Sequence, residues 1–111
     1  MYLNFNDEYV EQISEHEKRT TWRINRRKDI YPGEPINLTS DSHGRFGTAE
    51  VVWVKYTTVQ ALSDEDEKWH ERYDNTEERV EALNNIYSHQ TVLPSTEVTV
   101  IRFETTDTIF W

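Results

Sequence analysis

Cysteine is absent from this chain of 111 residues, and glycine and proline occur only three times each. Without cysteine there is no disulfide framework, no thiolate zinc site and no cysteine nucleophile. Three glycines are too few for loops that cradle phosphates, and no G-x-G-x-x-G, P-loop or G-x-S-x-G motif is present. No apolar run approaches the roughly 20 residues that cross a bilayer, and the first residues lack the order of a signal peptide. We therefore expect a cytoplasmic protein that does not span a membrane.

Histidine does not form a metal-binding pattern in this sequence. The four histidines are scattered, without the close pair or the accompanying carboxylate spacing of a metal site; they are His16, His43, His70 and His89. The consecutive carboxylates at positions 64–67 would disperse around a helix rather than converge on one atom. We expect neither a metal ion nor another cofactor.

Basic residues are the minority, with 12 Lys and Arg against 21 Asp and Glu and a formal charge of −9. Such a charge repels polyanions at long range. The distribution is uneven, however, because six of the 12 basic residues lie between Lys18 and Lys28, including Arg26 and Arg27, whereas residues 64–81 hold nine acids and three bases. An anionic partner is therefore expected at the basic segment.

Aromatic residues, by contrast, are abundant, with four Trp, six Tyr and four Phe. This content exceeds that of disordered chains and indicates a small aromatic core. The length suits one domain over residues 1–111.

Strand patterns alternate with turns along most of the chain. The β-branched and aromatic segments predicted as strands are 2–5, 20–24, 36–38, 46–59 and 96–105, with turns at 31–35 and 40–44. Bulky groups on both faces of segment 46–59 favour a curved sheet or barrel, and Gly47 is placed for a bulge or bend. Residues 109–111 are apolar enough to predict an added edge strand, and residues 25–29 form a basic loop.

Three helices are predicted between these strands. One follows Asn6 or Asp7 and ends near Glu17, and a second begins with a capping box at Ser63 and ends near residue 72. A third follows Asn75 and has apolar residues at helical spacing. The chain is therefore predicted to be of the α+β class.

A possible reactive group lies where the first helix meets the strand 20–24. Thr21 and Arg23 share one face of that strand, and Lys18 is at the bend before it. A lysine amine, a threonine hydroxyl and a guanidinium can then converge on one pocket. The alternative interpretation is a basic helix end that complements the helix dipole, followed by an edge strand.

Five short segments occur in a recognisable order. They are Ile13-x4-Lys18-x2-Thr21-x-Arg23, Tyr31-Pro32-Gly33-Glu34, Gly47-Thr48-Ala49-Glu50-Val51, Glu71-Arg72-Tyr73 ahead of Leu83-x3-Tyr87, and Val100-Ile101-Arg102-Phe103-Glu104. Together they resemble the ASCH domain (activating signal cointegrator homology). The resemblance implies a PUA-like β-barrel of about five to six strands with two to three flanking helices. It also implies a cleft between barrel and helices that binds RNA or nucleotide-like ligands.

One small bacterial subfamily of these domains is an amidohydrolase that removes acetyl from N4-acetylcytidine. Its catalytic Lys, Thr and Glu match Lys18, Thr21 and Glu71 of this chain. A threonine hydroxyl needs a base to become a nucleophile, and a lysine serves only if its pKa is lowered by burial or by a cation such as Arg23. Glu71 would protonate the leaving amine, and Arg23 would hold the oxyanion or the substrate.

The chain departs from the family pattern in two places. The glycine that usually precedes the lysine is replaced by His16 or Glu17, and the usual Gly-Asp is Gly33-Glu34. Arg23, Arg26 and Arg27 are the candidates for a basic lining of the cleft. Trp22 and Tyr73 are candidates for stacking on a base, and the alternative interpretation is that such aromatic residues belong to the barrel core.

Two functions are therefore open at this point. The first is an amidohydrolase acting on N4-acetylcytidine-like nucleosides, and the second is a module that binds RNA or a modified nucleotide without chemistry. A third, a PUA-like fold within a protein assembly, is a weaker alternative. We expect a monomer or weak dimer with RNA or a modified nucleoside in a basic-lined cleft.

Overall fold

The computed structural model describes residues 1–24 and 29–108. In these residues five β-strands and two short α-helices follow one another along the chain. The strands are Tyr2–Phe5 (β1), Thr20–Ile24 (β2), Pro35–Ser40 (β3), Gly44–Thr58 (β4) and Glu97–Thr108 (β5), and the helices are Val10–Ser14 (α1) and Thr76–Ile86 (α2). Short 3₁₀ turns precede α1 at Asp7–Tyr9 and follow β4 at Val59–Ala61. The α+β class predicted from the sequence is confirmed.

The five strands form one sheet in the order β1-β3-β4-β5-β2. β1 is parallel to β3, and the other neighbours are antiparallel. Although β1 and β2 are at opposite edges of the sheet, the Arg23 guanidinium on β2 lies 4.7 Å from the centre of the Phe5 ring on β1. The sheet therefore curls until its two edges approach and forms a half-barrel of five strands, where a barrel of about five to six strands was predicted.

Bulges in the long strand β4 produce this curl. Leu38 pairs with Gly47 and Thr39 with Arg45, so Phe46 is an extra residue beside Gly47, where a bulge was predicted. A second irregularity on β4 leaves Val52 without a partner on β5. An extra residue bends a strand and increases its twist, so the bulges turn β4 around the core.

Two clusters of buried apolar side chains hold the fold together. The first lies among β1, α1, β3 and β4 and consists of Leu3, Phe5, Val10, Ile13, Ile30, Ile36, Leu38, Phe46, Ala49, Val51, Ile101 and Phe103. The second lies beside α2 and consists of Trp22, Ile24, Val59, Leu62, Leu83, Val92, Val98 and Val100. Successive side chains of a strand point to opposite faces, so β5 contributes one face to each cluster. This alternation along β5 was predicted from the sequence.

The prediction of a helix from Ser63 to residue 72 is wrong, because residues 64–69 form turns and residues 70–72 are irregular. The Asp66 carboxylate accepts hydrogen bonds from the Ser63 amide at 2.9 Å and from the Ser63 hydroxyl at 3.1 Å. It also accepts from Lys55 Nζ at 2.8 Å. In a capping box the serine side chain would cap the helix, whereas here the buried aspartate ties the turn to the strand β4.

Residues 62–75, named here the 62–75 loop, are also fixed by β2. The Thr20 amide donates to the Trp69 carbonyl at 3.1 Å, and the Thr20 hydroxyl donates to the Lys68 carbonyl at 2.6 Å. Trp22 Nε1 donates to the Asp66 carbonyl at 3.0 Å. These carbonyls accept hydrogen bonds from the strand and not from a following helical turn. This explains why the acidic stretch does not form a helix. The loop therefore lies against the edge of the sheet.

The other predicted helices are confirmed with different bounds. α2 begins after Asn75, whose side chain accepts from the Glu78 amide at 2.9 Å, as an N-cap does. α1 ends at Ser14, earlier than the predicted Glu17, and Asn6 makes no side-chain cap. The basic loop residues 25–28 and the predicted edge strand at 109–111 lie outside the described residues. No helix in the described part of the chain is both long and apolar enough to span a bilayer.

Candidate active site

A cavity of about 70 Å³ opens where the edges of the sheet approach the 62–75 loop and α2. Its polar lining consists of Asn4, Asn6, Lys18, Thr21, Arg23, His70 and Glu71, and its aromatic lining of Phe5, Tyr9, Trp22, Tyr73 and Tyr87. One water needs about 10–15 Å³ of such space, so the cavity has room for about five to seven waters. A group as small as an acetylamino group fits in it, and a larger ligand would extend out through the opening.

Lys18 and Glu71 form a salt bridge at the base of this cavity, although 53 positions separate them in the sequence. Lys18 Nζ donates to Glu71 Oε1 at 3.1 Å and to Oε2 at 3.0 Å. The lysine side chain is 4% exposed and the glutamate side chain 29%. Lys18 Nζ also lies 4.8 Å from the centre of the Tyr9 ring. The structure thus brings together two of the three predicted catalytic residues.

The surroundings of Lys18 make its ammonium lose a proton more readily than the ammonium of a surface lysine. Burial lowers the pKa of Lys18 below its usual 10.5, and the nearby positive charge of Arg23 acts in the same direction. The Glu71 charge and its hydrogen bond oppose this shift without cancelling it. Burial is the dominant cause because the charged form of an ammonium is disfavoured away from water.

Thr21 and Arg23 lie on the same face of β2, as strand alternation predicted, and both line the cavity. Arg23 Nε donates to Thr21 Oγ1 at 3.1 Å. A positive donor at this oxygen favours its alkoxide form. Among the described residues no hydrogen bond joins Lys18 to Thr21. The lysine instead donates to Glu71.

Trp22 and Tyr73, the predicted stacking residues, line the same cavity, with ring centres 5.9 Å apart. Trp22 is only 5% exposed, so one of its faces is occupied within the protein. Tyr73 is partly exposed, and burial raises its pKa, as it raises the pKa of Tyr9 to about 12. Both phenols therefore keep their protons at neutral pH and can donate hydrogen bonds to a ligand. Arg26 and Arg27, predicted to line the cleft, lie outside the described residues.

His70 is a component of the cavity that sequence reasoning missed. Its ring stacks on Trp22, with centres 3.9 Å apart and planes at 13°. His70 Nδ1 lies 2.9 Å from the backbone carbonyl of Glu71. Burial, together with the positive charge of Lys18, lowers the pKa of His70 from 6.5 to about 3. The imidazole is therefore uncharged at neutral pH.

This histidine should make the fold sensitive to acid. Between pH 6.5 and about pH 3 the imidazole is protonated in the unfolded chain but not in the folded protein. The free energy of unfolding therefore falls as pH decreases through that window. We expect His70 to contribute about 2 kcal/mol to the loss of stability between pH 7 and pH 5. Urea titrations at both pH values measure it. His70→Gln, which does not titrate, should lose correspondingly less stability, and an identical loss in both proteins would contradict the assignment.

The residue two positions before the lysine has an unusual backbone. His16 has a φ of +63°, in the left-handed region that favours glycine. Either His16 or Glu17 stands where ASCH domains usually have a glycine. Trp69, next to His70, has the same φ of +63°. Strained residues therefore flank the site on both the α1 side and the loop side. In the described ranges, 1–24 and 29–108, no cluster of three or more His, Asp or Glu side chains is arranged to hold a metal ion.

Solved structures share this fold. The chain is similar to a protein of Enterococcus faecalis V583 described by the family model DUF984, with a TM-score of 0.72 and 10% identity over 94% of this chain and 73% of that one. It is similar to the ASCH domain of Lactobacillus crispatus JV V101, with a TM-score of 0.69 and 15% identity over 96% and 80% of the two chains.

A third similar structure is ASCH from Zymomonas mobilis, with a TM-score of 0.66 and 10% identity over 93% of this chain and 65% of that one. No family model and no curated protein matches the sequence. At these identities the likeness concerns the fold. The protein has the fold of ASCH domains, as the resemblance of its sequence segments predicted.

Proposed function

We propose that the protein is an amidohydrolase that removes the acyl group from N4-acetylcytidine-like nucleosides. The observation that supports it is the convergence of Lys18, Thr21 and Glu71 on one cavity with aromatic walls. The enclosed volume suits an acylamino group, and Tyr73 at the cavity is available to a base. The nucleophile, the base and the acid of amide hydrolysis are then in one place.

The Lys18 and Glu71 pair can supply both proton steps with a single shared proton. When the lysine passes its proton to the carboxylate, a neutral amine and a carboxylic acid result, and the burial that lowers the pKa of Lys18 makes this transfer easier than for a surface lysine. The amine takes the Thr21 proton as the oxygen bonds to the acyl carbon. The Glu71 acid protonates the leaving amine as the carbon–nitrogen bond breaks, which restores the ammonium and the carboxylate.

Water then completes the reaction at the acylated threonine. The Glu71 carboxylate accepts a proton from the attacking water, and the Lys18 ammonium returns one to Thr21 as the oxygen–carbon bond breaks. Arg23, already hydrogen-bonded to Thr21 Oγ1, stabilises the negative charge that develops on oxygen. For the first step Lys18 must turn from Glu71 to Thr21, and such contacts often form only in the substrate complex.

The direct experiment is incubation of the purified protein with N4-acetylcytidine, followed by chromatography for cytidine and acetate. Release of both with multiple turnovers is the expected result. As a control, an O-acetylated nucleoside is incubated with the same catalytic amount of protein. If its ester stays intact, the activity is specific for the amide. Absence of cytidine after prolonged incubation with equimolar protein would contradict the proposed function.

A second candidate, binding of single-stranded RNA, is favoured by an exposed aromatic residue outside the cavity. Trp69 is 39% exposed, with the Arg19 guanidinium 4.4 Å and Lys68 Nζ 5.9 Å from its ring. A base stacked on such a ring is worth about 1–3 kcal/mol. If RNA binds here, Trp69→Ala should weaken binding of a short oligonucleotide about 5- to 150-fold in a fluorescence titration. Tyr31→Ala, at an exposed tyrosine before β3, is the control.

A further inference from the structure

The imidazole of His70 is held more rigidly than its place on an irregular loop suggests. One face is stacked on Trp22, which is itself fixed because its Nε1 donates to the Asp66 carbonyl at 3.0 Å. The edge is fixed by the contact of 2.9 Å between Nδ1 and the Glu71 carbonyl. Only 8% of the side chain is exposed. Both the plane and the rotation of the ring are thus determined.

These contacts also determine which nitrogen has the proton. A backbone carbonyl can only accept a hydrogen bond, so Nδ1 is the protonated nitrogen and donates to Glu71. In the uncharged ring Nε2 then has a lone pair and no proton. The low pKa of His70 agrees with this form. The result is a hydrogen-bond acceptor with a fixed direction.

This acceptor has no donor within the described protein. Nε2 lies 3.9 Å from Glu71 Oε1, beyond hydrogen-bond distance, and a carboxylate oxygen is itself an acceptor. The nearby ammonium of Lys18 donates to Glu71 instead. The residue lines the cavity described above. A donor for this atom must therefore come from the cavity, from water or from a ligand that displaces the water.

We infer that His70 Nε2 accepts a hydrogen bond from the amide N–H of the substrate and so selects secondary amides over tertiary amides. The inference rests on the proposed function, because the scissile nitrogen must lie beside Glu71 to receive its proton, and Nε2 is next to that carboxylate. N4-acetylcytidine has one N–H at this nitrogen. A tertiary amide has none, so the buried acceptor would remain unpaired, and sites built around a hydrogen bond discriminate strongly against such analogues.

Binding to an inactive protein tests this selectivity apart from turnover. The Thr21→Ala variant is titrated calorimetrically with N4-acetylcytidine and with N4-acetyl-N4-methylcytidine. We expect the secondary amide to bind about tenfold more tightly or better, the scale of one buried hydrogen bond. Adding His70→Phe, which keeps a ring of similar size without the nitrogen, should reduce the preference to about twofold or less.

Adding His70→Gln instead is the matched control, since its amide oxygen reaches the position of Nε2 and restores an acceptor. We expect this variant to keep most of the preference. A preference that is unchanged in the phenylalanine variant would overturn the inference, and so would equal binding of the two amides by Thr21→Ala alone. Thermal unfolding confirms that each variant is folded.

A spectroscopic measurement on the protein with His70 intact does not depend on folding of the variants. With ¹⁵N-labelled histidine, the resonance of the unprotonated Nε2 should move towards the protonated range when the secondary amide binds, and not when the tertiary amide binds. No movement with bound N4-acetylcytidine would overturn the inference. The two proposals fail separately: selective binding without release of cytidine by the unmodified protein would contradict the amidohydrolase alone.

Discussion

Thr21→Ala is expected to lower the turnover number for N4-acetylcytidine by about a thousandfold or more. The affinity for the same nucleoside should change little, because the bond that the threonine forms exists only along the reaction path. A residue that merely binds would behave differently, since losing one hydrogen bond costs about 1 kcal/mol, or roughly fivefold in affinity. Steady-state kinetics with calorimetry on the same samples separates the two cases.

Thr21→Ser is the matched control for this prediction. Serine keeps the hydroxyl that Arg23 contacts and loses only a methyl group, so measurable turnover should remain. If Thr21→Ala retains more than about a tenth of the activity, the loss is only about 1.4 kcal/mol in barrier height, and the threonine is not the nucleophile. If both variants lose the same activity, the methyl group and not the hydroxyl matters, which also contradicts the assignment.

The part of the site that lies on β2 was predictable because strand alternation is a local rule. Thr21 and Arg23 had to share a face once residues 20–24 formed a strand, and the bend before the strand placed Lys18 nearby. The contact of Lys18 with Glu71 was not open to such reasoning. Since it joins a bend to a loop 53 positions later, only the resemblance to ASCH domains indicated it.

A helix was wrongly predicted in the 62–75 loop because the acidic start of this loop is compatible with both a capped helix and a turn. Serine followed three residues later by an acidic residue is typical of a capping box, yet here Asp66 is buried and binds Ser63 and Lys55. Tertiary contacts with β2 and β4 outweigh the weak local preference for a helix. The same contacts turn His70 inwards, and a lone histidine without a patterned partner gave no sequence signal for that position.

The turn before Lys18 forms without glycine. His16 lies in the left-handed region in which glycine is unstrained, while the Glu17 and Lys18 amides both donate to the Gln12 carbonyl in the turn that follows α1. The local hydrogen bonds therefore hold the turn that delivers Lys18 to the cavity, although its left-handed residue is not glycine.

The Lys18→Met variant is expected to separate activity from stability. Methionine fills the buried volume of the lysine stem but has no amine, so turnover should fall by about a thousandfold or more, similar to the loss with Thr21→Ala. The double variant should be little worse than either single one, because the two residues act as a unit. Turnover that stays within about tenfold of the unmodified protein would exclude lysine as the base.

The stability of Lys18→Met should stay close to that of the unmodified protein, because the substitution removes the cost of burying an ammonium and methionine fills the volume of the lysine stem. Glu71 tolerates the loss of its partner, since its side chain is 29% exposed and the lysine only 4%. Glu71→Gln should instead cost about 2 kcal/mol at pH 7, because the buried ammonium loses its counterion.

That cost should shrink as pH rises. Without Glu71, which raises the pKa of Lys18, the folded protein binds fewer protons than the unfolded chain at pH values below 10.5, so stability increases with pH through this window. Urea unfolding of the glutamine and methionine variants at pH 7 and pH 9.5 measures the effect. Convergence of the two stabilities at the higher pH is expected. A constant difference between them would mean that the folded and unfolded glutamine variants bind the Lys18 proton equally, so that the pKa of Lys18 is not lowered by folding, and equal stability at both pH values would mean that the pair is not coupled.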